Sequence, residues 1–204
     1  MVSALAKLHR DTLIRTALEL LNEVGEEGLT TRRLAERLGV QQPALYWHFK
    51  NKRVLLDALA ETILAKHHDH ALPRAGEHWR HFLIENARSF RRALLTYRDG
   101  ARIHAGTRPN NNQIGQAQAQ IDFLTQAGFT PADAARALIT ISHYVVGSAL
   151  EQQAYIHENK PSDMTNIAAA SNTAEAIAIL DAEGPESLFD FGLMLLIEGL
   201  ERHQ

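Results

Sequence analysis

Apolar residues recur at steps of three and four along nearly the whole chain of 204 residues, and no stretch shows the convincing alternation of a strand. The first such stretch, expected as a helix at 9–24, places five residues on one face: Leu13, Ala17, Leu18, Leu21 and Val24. With glycine and proline as breaks, the same periodicity predicts helices at 31–38, 43–48, 52–68, 77–95, 99–104, 111–127, 131–156, 167–181 and 185–202. The chain is therefore expected to be all-α.

The second and third predicted helices are short and separated by a tight turn. Thr30 is expected to cap the second helix, and Gly39 to supply the turn that follows it. Gln42 is expected to cap the third helix, with Pro43 in its first turn. Three helices this close together, with a glycine turn between the last two, indicate a helix-turn-helix, whose second helix lies in the major groove of DNA.

Charge is distributed unevenly along the chain. Residues 1–54 carry a net charge of +3, and the remaining residues carry −6. A basic end on an acidic body favours a protein that presents one end to phosphate, although chance segregation would give the same pattern. The chain has no cysteine, which excludes disulfides and thiolate metal sites. It also lacks an apolar run of about 20 residues and a secretory signal, so we expect a cytoplasmic protein without a membrane partner.

Residues 41–48 are the candidate segment for reading DNA bases. The amide of Gln42 can pair with adenine, and Arg32 on the preceding helix can pair with guanine. Pro43 and Ala44 suit contacts with thymine methyl groups. Four further side chains suit phosphate contacts: Tyr46, Trp47, His48 and Lys52. Tyr46 and Trp47 could instead be core aromatics, but Leu45 already fills the inward position.

Two blocks of sequence resemble the tetracycline repressor (TetR) family. The first is TTRRLAERLGVQQPALYWHFKNKRVLLDALA at 30–60, which matches the DNA-binding head of the family. The second is HHDHALPRAGEHWRHFLIENARSFRRALLTYRDGARIHAGTRP at 67–109, which is similar to the ligand-binding core of the tetracycline-responsive members, and LEQQ follows at 150–153. The resemblance implies operator contacts at nine positions: Thr31, Arg32, Gln42, Pro43, Ala44, Tyr46, Trp47, His48 and Lys52. Ala44 stands where threonine is usual and Gln41 where an acid is common, so the operator sequence stays open.

The resemblance also implies a site for a tetracycline together with a Mg²⁺ ion. His104 would bind the ion directly, and Thr107 and Glu151 would bind it through water, which suits a cation that retains several waters. The remaining ligand contacts would be His68, Asn86, Phe90, Arg108, Pro109 and Gln120. Without the resemblance, His104 would be read as a surface or packing residue, Phe90 equally well as core, and Glu151 as part of a solvated helix face.

Two features of the ligand segment bear on response and specificity. Gly106 tolerates unusual φ and ψ, so the short helix before it is expected to rearrange easily. Helix 52–68 begins beside the reading segment and ends at His68, which makes it a candidate lever between ligand and DNA. Ala117 and Ala135 stand where larger apolar residues are common in the family, which favours a wider cavity.

The sequence divides into a helix-turn-helix domain at 1–50, a connecting helix at 51–72, and a larger helical ligand-binding and dimerisation domain at 73–204. A palindromic operator requires two heads related by a twofold axis, so a homodimer is expected. Helices 131–156 and 185–202 of two copies are expected to form a four-helix interface. The last helix carries small and apolar residues on nearly one face: Leu188, Gly192, Leu195, Leu196 and Gly199. A helix buried within one chain would show a similar stripe.

These features predict a homodimeric repressor that a tetracycline–Mg²⁺ complex releases from its operator, with tetracycline-resistance (efflux) genes as its targets. A regulator of the same family that responds to another small molecule is the main alternative. A metal-dependent enzyme is disfavoured, because the 11 histidines form no HExxH motif and no nucleophile elbow is present. A purely architectural DNA-binding protein would not need the acidic body or the ligand segment.

Overall fold

The computed structural model describes residues 9–107, 111–158 and 171–203, and all regular structure in those ranges is helical. The helices are α1 (Arg10–Gly28), α2 (Thr31–Leu38), α3 (Pro43–Tyr46), α4 (Lys52–His67), α5 (Trp79–Leu95), α6 (Gly100–Ala105), α7 (Asn111–Gln126), α8 (Pro131–Glu158) and α9 (Asn172–Leu200), followed by a 3₁₀ turn at Glu201–His203. The predicted all-α class is confirmed. The predicted start of a helix at residue 167 lies outside the described residues. None of the described helices is both long and apolar enough to cross a membrane.

The turns of the head largely follow the sequence prediction. Thr30 Oγ1 accepts a hydrogen bond from the Arg33 amide at 3.2 Å, and Gly39 adopts a left-handed conformation with φ 66° and ψ 29°. Gln42 stands at the N-cap position of α3 as expected, but its backbone is helical and its side chain makes no cap hydrogen bond. Pro43 does lie in the first turn of α3, as expected. The Gln42 side chain is long enough to extend away from its own backbone, and it bonds α2 instead.

Two glycines interrupt helices that continue beyond them. Gly25 in α1 has φ 69° and ψ 178°, and Gly184 in α9 has φ 78° and ψ 173°. Pro185 follows Gly184 and begins the next helical stretch, where a missing amide hydrogen is tolerated. The sequence prediction placed a break near both glycines, because it ended the first helix at residue 24 and separated helices 167–181 and 185–202. It did not predict that the chain is helical again between Gly25 and Gly28.

The contacts divide the chain into two compact units, one of residues 1–69 with 92–110 and one of residues 70–91 with 111–204. In the first unit, the apolar sides of α1 to α4 form one core, which also contains Ala93 and Ile103. Helix α6 packs against α4. The periodicity of a six-residue helix is too short to reveal its partner, so this position of α6 was not predicted. The division into 1–50, 51–72 and 73–204 stays a prediction.

The second unit is held together by polar groups as well as apolar packing. Arg91 is buried, its guanidinium bonds Glu186 and Gln152, and it lies 4.7 Å from the centre of the Phe189 ring. The Tyr144 hydroxyl donates to the Phe189 carbonyl at 2.9 Å. These contacts fix α9 against α5 and α8, and a charged residue such as Arg91 gave no sign of burial in the sequence.

Helix α9 has one buried face and one exposed apolar face. Phe189, Leu193 and Ile197 are buried within the chain. Leu188, Phe191 and Leu195 are 50%, 66% and 56% exposed. The predicted apolar stripe therefore includes residues that this chain leaves uncovered.

The two glycines of that stripe have different surroundings. A Cβ on Gly192 would overlap the hydroxyl of Tyr144 in the same chain, whereas a Cβ on Gly199 would meet nothing within 4 Å. Close approach within one chain thus accounts for Gly192.

Candidate DNA-binding and ligand-binding sites

Helix α3 and the turn after it present aromatic side chains to solvent. Trp47 is 90% exposed and Tyr46 is 47% exposed, whereas Leu45, the residue of α3 that packs into the core, is buried. A large exposed apolar side chain is informative because folding alone does not favour it. The exposure contradicts the alternative that both aromatics belong to the core, while their contact with DNA stays a prediction.

A hydrogen-bonded group connects α2 and α3 at this surface. Gln42 Nε2 donates to Thr31 Oγ1 at 2.8 Å and to Tyr46 Oη at 3.3 Å. These two bonds use the amide hydrogens and leave the carbonyl oxygen of Gln42 as its remaining group. Bidentate reading of adenine needs an N–H donor, so one of the two bonds must be exchanged when Gln42 reads a base.

The cationic side chains predicted at the DNA surface already have partners within the head. Arg32 is exposed and pairs with Glu36 one turn along α2, at 3.0 Å. Lys52 Nζ donates to the Glu26 carbonyl at 2.7 Å. A lysine ammonium has three donors, so this bond holds Lys52 in place and leaves capacity for a phosphate.

The turn before α6 binds the end of α1. Asp99 Oδ2 accepts from the Glu26 amide at 2.7 Å, and the Arg98 amide donates to Asn22 Oδ1 at 2.8 Å. Arg102 on α6 pairs with the Glu26 carboxylate at 3.0 Å. Sequence reasoning missed these contacts because charged residues on a short helix are typical of an exposed surface. The sequence offered one signal for these contacts: the positive charges of Arg98 and Arg102 complement the negative charges of the acids near Gly25.

Replacing Gly25 by alanine is expected to destabilise the protein more than the same change at Gly39. Gly25 adopts a conformation that side chains rarely enter, and an added Cβ would lie 2.7 Å from Asp99 Oδ2. Gly39 also has a positive φ, but a Cβ there meets nothing within 4 Å. Urea unfolding should show a loss of about 2–4 kcal/mol for Gly25→Ala and about 1 kcal/mol for Gly39→Ala. Equal losses would contradict a close approach of Asp99.

His104 and Thr107 lie together at the end of α6. The His104 carbonyl accepts from the Thr107 amide at 2.9 Å and from the Thr107 hydroxyl at 2.8 Å. Burial lowers the pKa of the His104 imidazole below its ordinary value, which favours the neutral ring. The predicted contacts Arg108 and Pro109 lie outside the described residues.

Gly106 does not show the unusual backbone conformation that the sequence suggested. Its φ of −85° and ψ of −9° are open to any residue. An added Cβ would instead lie 2.8 Å from the Arg53 guanidinium, at the start of α4. The small residue at this position therefore leaves room for a side chain of α4.

The predicted ligand residues of the second unit include two amides that bind the same segment. Asn86 Nδ2 donates to the His70 carbonyl at 2.9 Å, and Gln120 Nε2 donates to the Ala71 carbonyl at 2.7 Å. The structure therefore brings Asn86 and Gln120 together, although they are far apart in sequence. Phe90 is buried, as either of its two interpretations requires.

Four other predicted residues are accessible to different degrees. Glu151 on α8 is exposed, and His68 at the end of α4 in the first unit is partly buried. Ala117 is exposed on α7, and Ala135 is partly buried on α8. The proposed effect of the two alanines on cavity size stays a prediction.

Comparison with known proteins decides the family. Residues 13–59 match the family described as bacterial regulatory proteins, tetR family, and residues 72–203 match the tetracyclin repressor-like C-terminal domain. The chain belongs to the TetR family. It is a DNA-binding transcriptional regulator, and its family is one of regulatory proteins and not of enzymes.

Several members of this family are similar over almost their full length. The tetracycline repressor protein class C of Escherichia coli is 58% identical over 201 residues, which are 96% of this chain and 92% of that protein. TetR-Q116A from Acinetobacter baumannii AYE, solved with minocycline, is 55% identical with a TM-score of 0.83, and the match covers 96% of this chain and 98% of that one. TetR(class A), solved with 5a,6-anhydrotetracycline and magnesium, is 51% identical with a TM-score of 0.79, and the match covers 97% of this chain and 100% of that one.

Proposed function

We propose that this chain is a repressor that binds a palindromic operator as a homodimer and is released by a tetracycline–Mg²⁺ complex, and that it controls tetracycline-resistance (efflux) genes in the cytoplasm. The observation that carries the proposal is the position of His104 on α6, a helix whose preceding turn binds the end of α1 through Asp99 and Arg98. The names of the similar proteins, which are tetracycline repressors, support the choice of ligand.

The donor groups of the first unit fit a Mg²⁺ ion that is chelated by its drug. His104 offers an imidazole whose lowered pKa keeps it neutral, as a metal ligand must be, and Thr107 adds a hydroxyl on the same turn. The family resemblance assigns Glu151 a contact with this ion through water. The bound ion would neutralise the charge on the oxygens of the drug. Asn86, Gln120 and Phe90 are proposed to bind the remainder of the drug.

The contacts of α6 offer a path from this site to the DNA-binding head. Ligand binding at the His104 end is proposed to shift α6. Because Asp99 at the other end holds the Glu26 amide, that shift moves the end of α1 together with α4, against which α6 packs. Two reading helices must lie about 34–36 Å apart to enter successive major grooves, so a small rotation of each head lowers operator affinity.

Operator binding tests this function. In a fluorescence anisotropy titration with tetracycline-type operators, the protein is expected to bind in the absence of drug and to dissociate when tetracycline and Mg²⁺ are added together. EDTA removes the Mg²⁺ ion, so release by tetracycline in its presence would contradict the proposed tetracycline–Mg²⁺ complex. That result would favour a regulator of the same family that responds to another small molecule. Failure to bind any tetracycline-type operator would indicate a different DNA specificity, which we would attribute to Gln41 and Ala44, the two residues that depart from the family pattern.

A further inference from the structure

Three titratable side chains that the proposed drug site does not use meet around one carboxylate oxygen in the second unit. Glu77 Oε1 lies 2.8 Å from His70 Nε2 and 2.6 Å from His81 Nδ1. The ligand atoms of all three residues lie within 4.8 Å of one another. His70 and Glu77 are each 5% exposed, and His81 is 63% exposed. The cluster is thus anchored inside the protein and open to solvent on one side.

The two buried members of the cluster are held by the backbone around them. The Arg74 amide donates to Glu77 Oε2 at 2.8 Å, which fixes the plane of the carboxylate. The His70 amide donates to Ser89 Oγ at 3.1 Å, and the His70 carbonyl accepts from Asn86 at 2.9 Å. Outer contacts of this kind orient metal ligands in known sites.

We propose that His70, Glu77 and His81 form a binding site for a divalent transition metal of the Zn²⁺ type. Two imidazoles and one carboxylate are an established ligand set for Zn²⁺, with water in the fourth position. Tetrahedral ligands about 2.0–2.1 Å from the ion lie about 3.3 Å apart, so each imidazole nitrogen would move about 0.5–0.7 Å away from Glu77 Oε1. The two nitrogens, which lie within 4.8 Å of each other, would adjust to the same spacing. The exposed ring of His81 can make this movement and leaves the fourth position to solvent. Two imidazole ligands favour Zn²⁺ over Mg²⁺, whereas the proposed drug site offers one imidazole and otherwise oxygen donors.

The charge of Glu77 suits a metal. Burial raises the pKa of Glu77, but hydrogen bonds from the Arg74 amide, His81 and His70 outweigh burial and lower it below its ordinary value. When a metal binds, each imidazole coordinates through the nitrogen that faces Glu77, and in a neutral ring the proton on that nitrogen moves to the other ring nitrogen. Because protons compete with the metal for the same nitrogens, binding weakens in acid. The competing interpretation is a hydrogen-bonded lock between His70, Glu77 and His81 that has no affinity for metal.

Metal at this site would also stiffen the segment that the drug-site amides bind. Asn86 donates to the His70 carbonyl, and Gln120 donates to the carbonyl of the next residue, Ala71. Because His70 is itself a ligand, an occupied site fixes the backbone to which both amides are bonded.

Isothermal titration with Zn²⁺ tests the site on the full chain. The titration uses the His104→Ala background, which removes the proposed ligand for the drug's cation. We expect one strong Zn²⁺ per chain and a loss of affinity of about 10-fold or more on His81→Ala. His143→Ala, which removes an exposed histidine on α8, is the matched control and should bind Zn²⁺ like its parent.

A second variant separates a metal ligand from a hydrogen-bonded lock. An aspartate oxygen lies two bonds from Cβ, as Nδ1 of His81 does, so His81→Asp should still bind Zn²⁺. Without metal its carboxylate repels Glu77, so Zn²⁺ should raise its melting temperature at least as much as it raises that of the parent. Equal Zn²⁺ affinity in the parent and His81→Ala would overturn the proposal. Loss of Zn²⁺ binding in His81→Asp would overturn it as well.

Discussion

Replacing His104 by alanine is expected to leave operator binding intact and to abolish its release by tetracycline and Mg²⁺. His104 offers the proposed direct nitrogen ligand, and its side chain takes no part in the exposed surface of α2 and α3. Loss of an outer-shell contact alone costs about 10–100-fold in metal affinity, so loss of a direct ligand should cost about 100-fold or more. Drug fluorescence measures the binding step, and operator anisotropy in the same buffer measures release.

Arg102→Ala is the counterpart that keeps the ligand and breaks the contact with α1. Arg102 pairs with Glu26 at 3.0 Å and with Glu27 at 3.2 Å, and it lies two residues before His104. This variant should bind tetracycline and Mg²⁺ with nearly the parent affinity but need more drug to release the operator. His143→Ala again serves as the control for a histidine outside the site. Parent-like release by drug in His104→Ala would refute the proposed role of the imidazole.

Most of the fold could be predicted because its signals are local. The cap at Thr30, the left-handed turn at Gly39 and the helix that begins at Pro185 each follow from the chemistry of one residue and its neighbours. The contact of the Gln42 side chain was not predicted, because its partner Thr31 lies 11 residues away on another helix. Local rules describe what a residue does to its own backbone and not which distant group it contacts.

The sites were less predictable because their contacts join distant parts of the chain. The acid at Asp99 holds the Glu26 amide 73 residues away, which no periodicity encodes. His104 came from family resemblance alone, and the His70, Glu77 and His81 cluster was not anticipated. Its members lie on a loop and the first turn of α5, and in the sequence this segment indicates only a histidine-rich surface. Three-dimensional packing, and not residue type, selects which of the 11 histidines face a carboxylate.

Replacing Phe191 by aspartate is expected to convert the proposed dimer into a monomer and to abolish tight operator binding. Phe191 is 66% exposed on the face of α9 that also carries Leu188 and Leu195, so the free chain leaves a large apolar stripe in water. An unpaired carboxylate at the centre of an apolar interface is strongly unfavourable. Sedimentation velocity should then show a single chain at micromolar concentrations, where the parent sediments as a dimer.

Loss of the dimer removes the second reading head from the operator. Two linked heads gain about 10²–10⁴-fold in affinity over one, because the second head binds at high effective concentration. Phe191→Asp should therefore weaken operator binding by that factor while its helical circular dichroism stays unchanged, since the buried residues Phe189 and Leu193 are untouched. Ile114→Asp makes the same kind of change at a residue that is 58% exposed on α7, and it should stay dimeric and bind operator normally. A dimeric Phe191→Asp variant would mean that two chains meet through another surface.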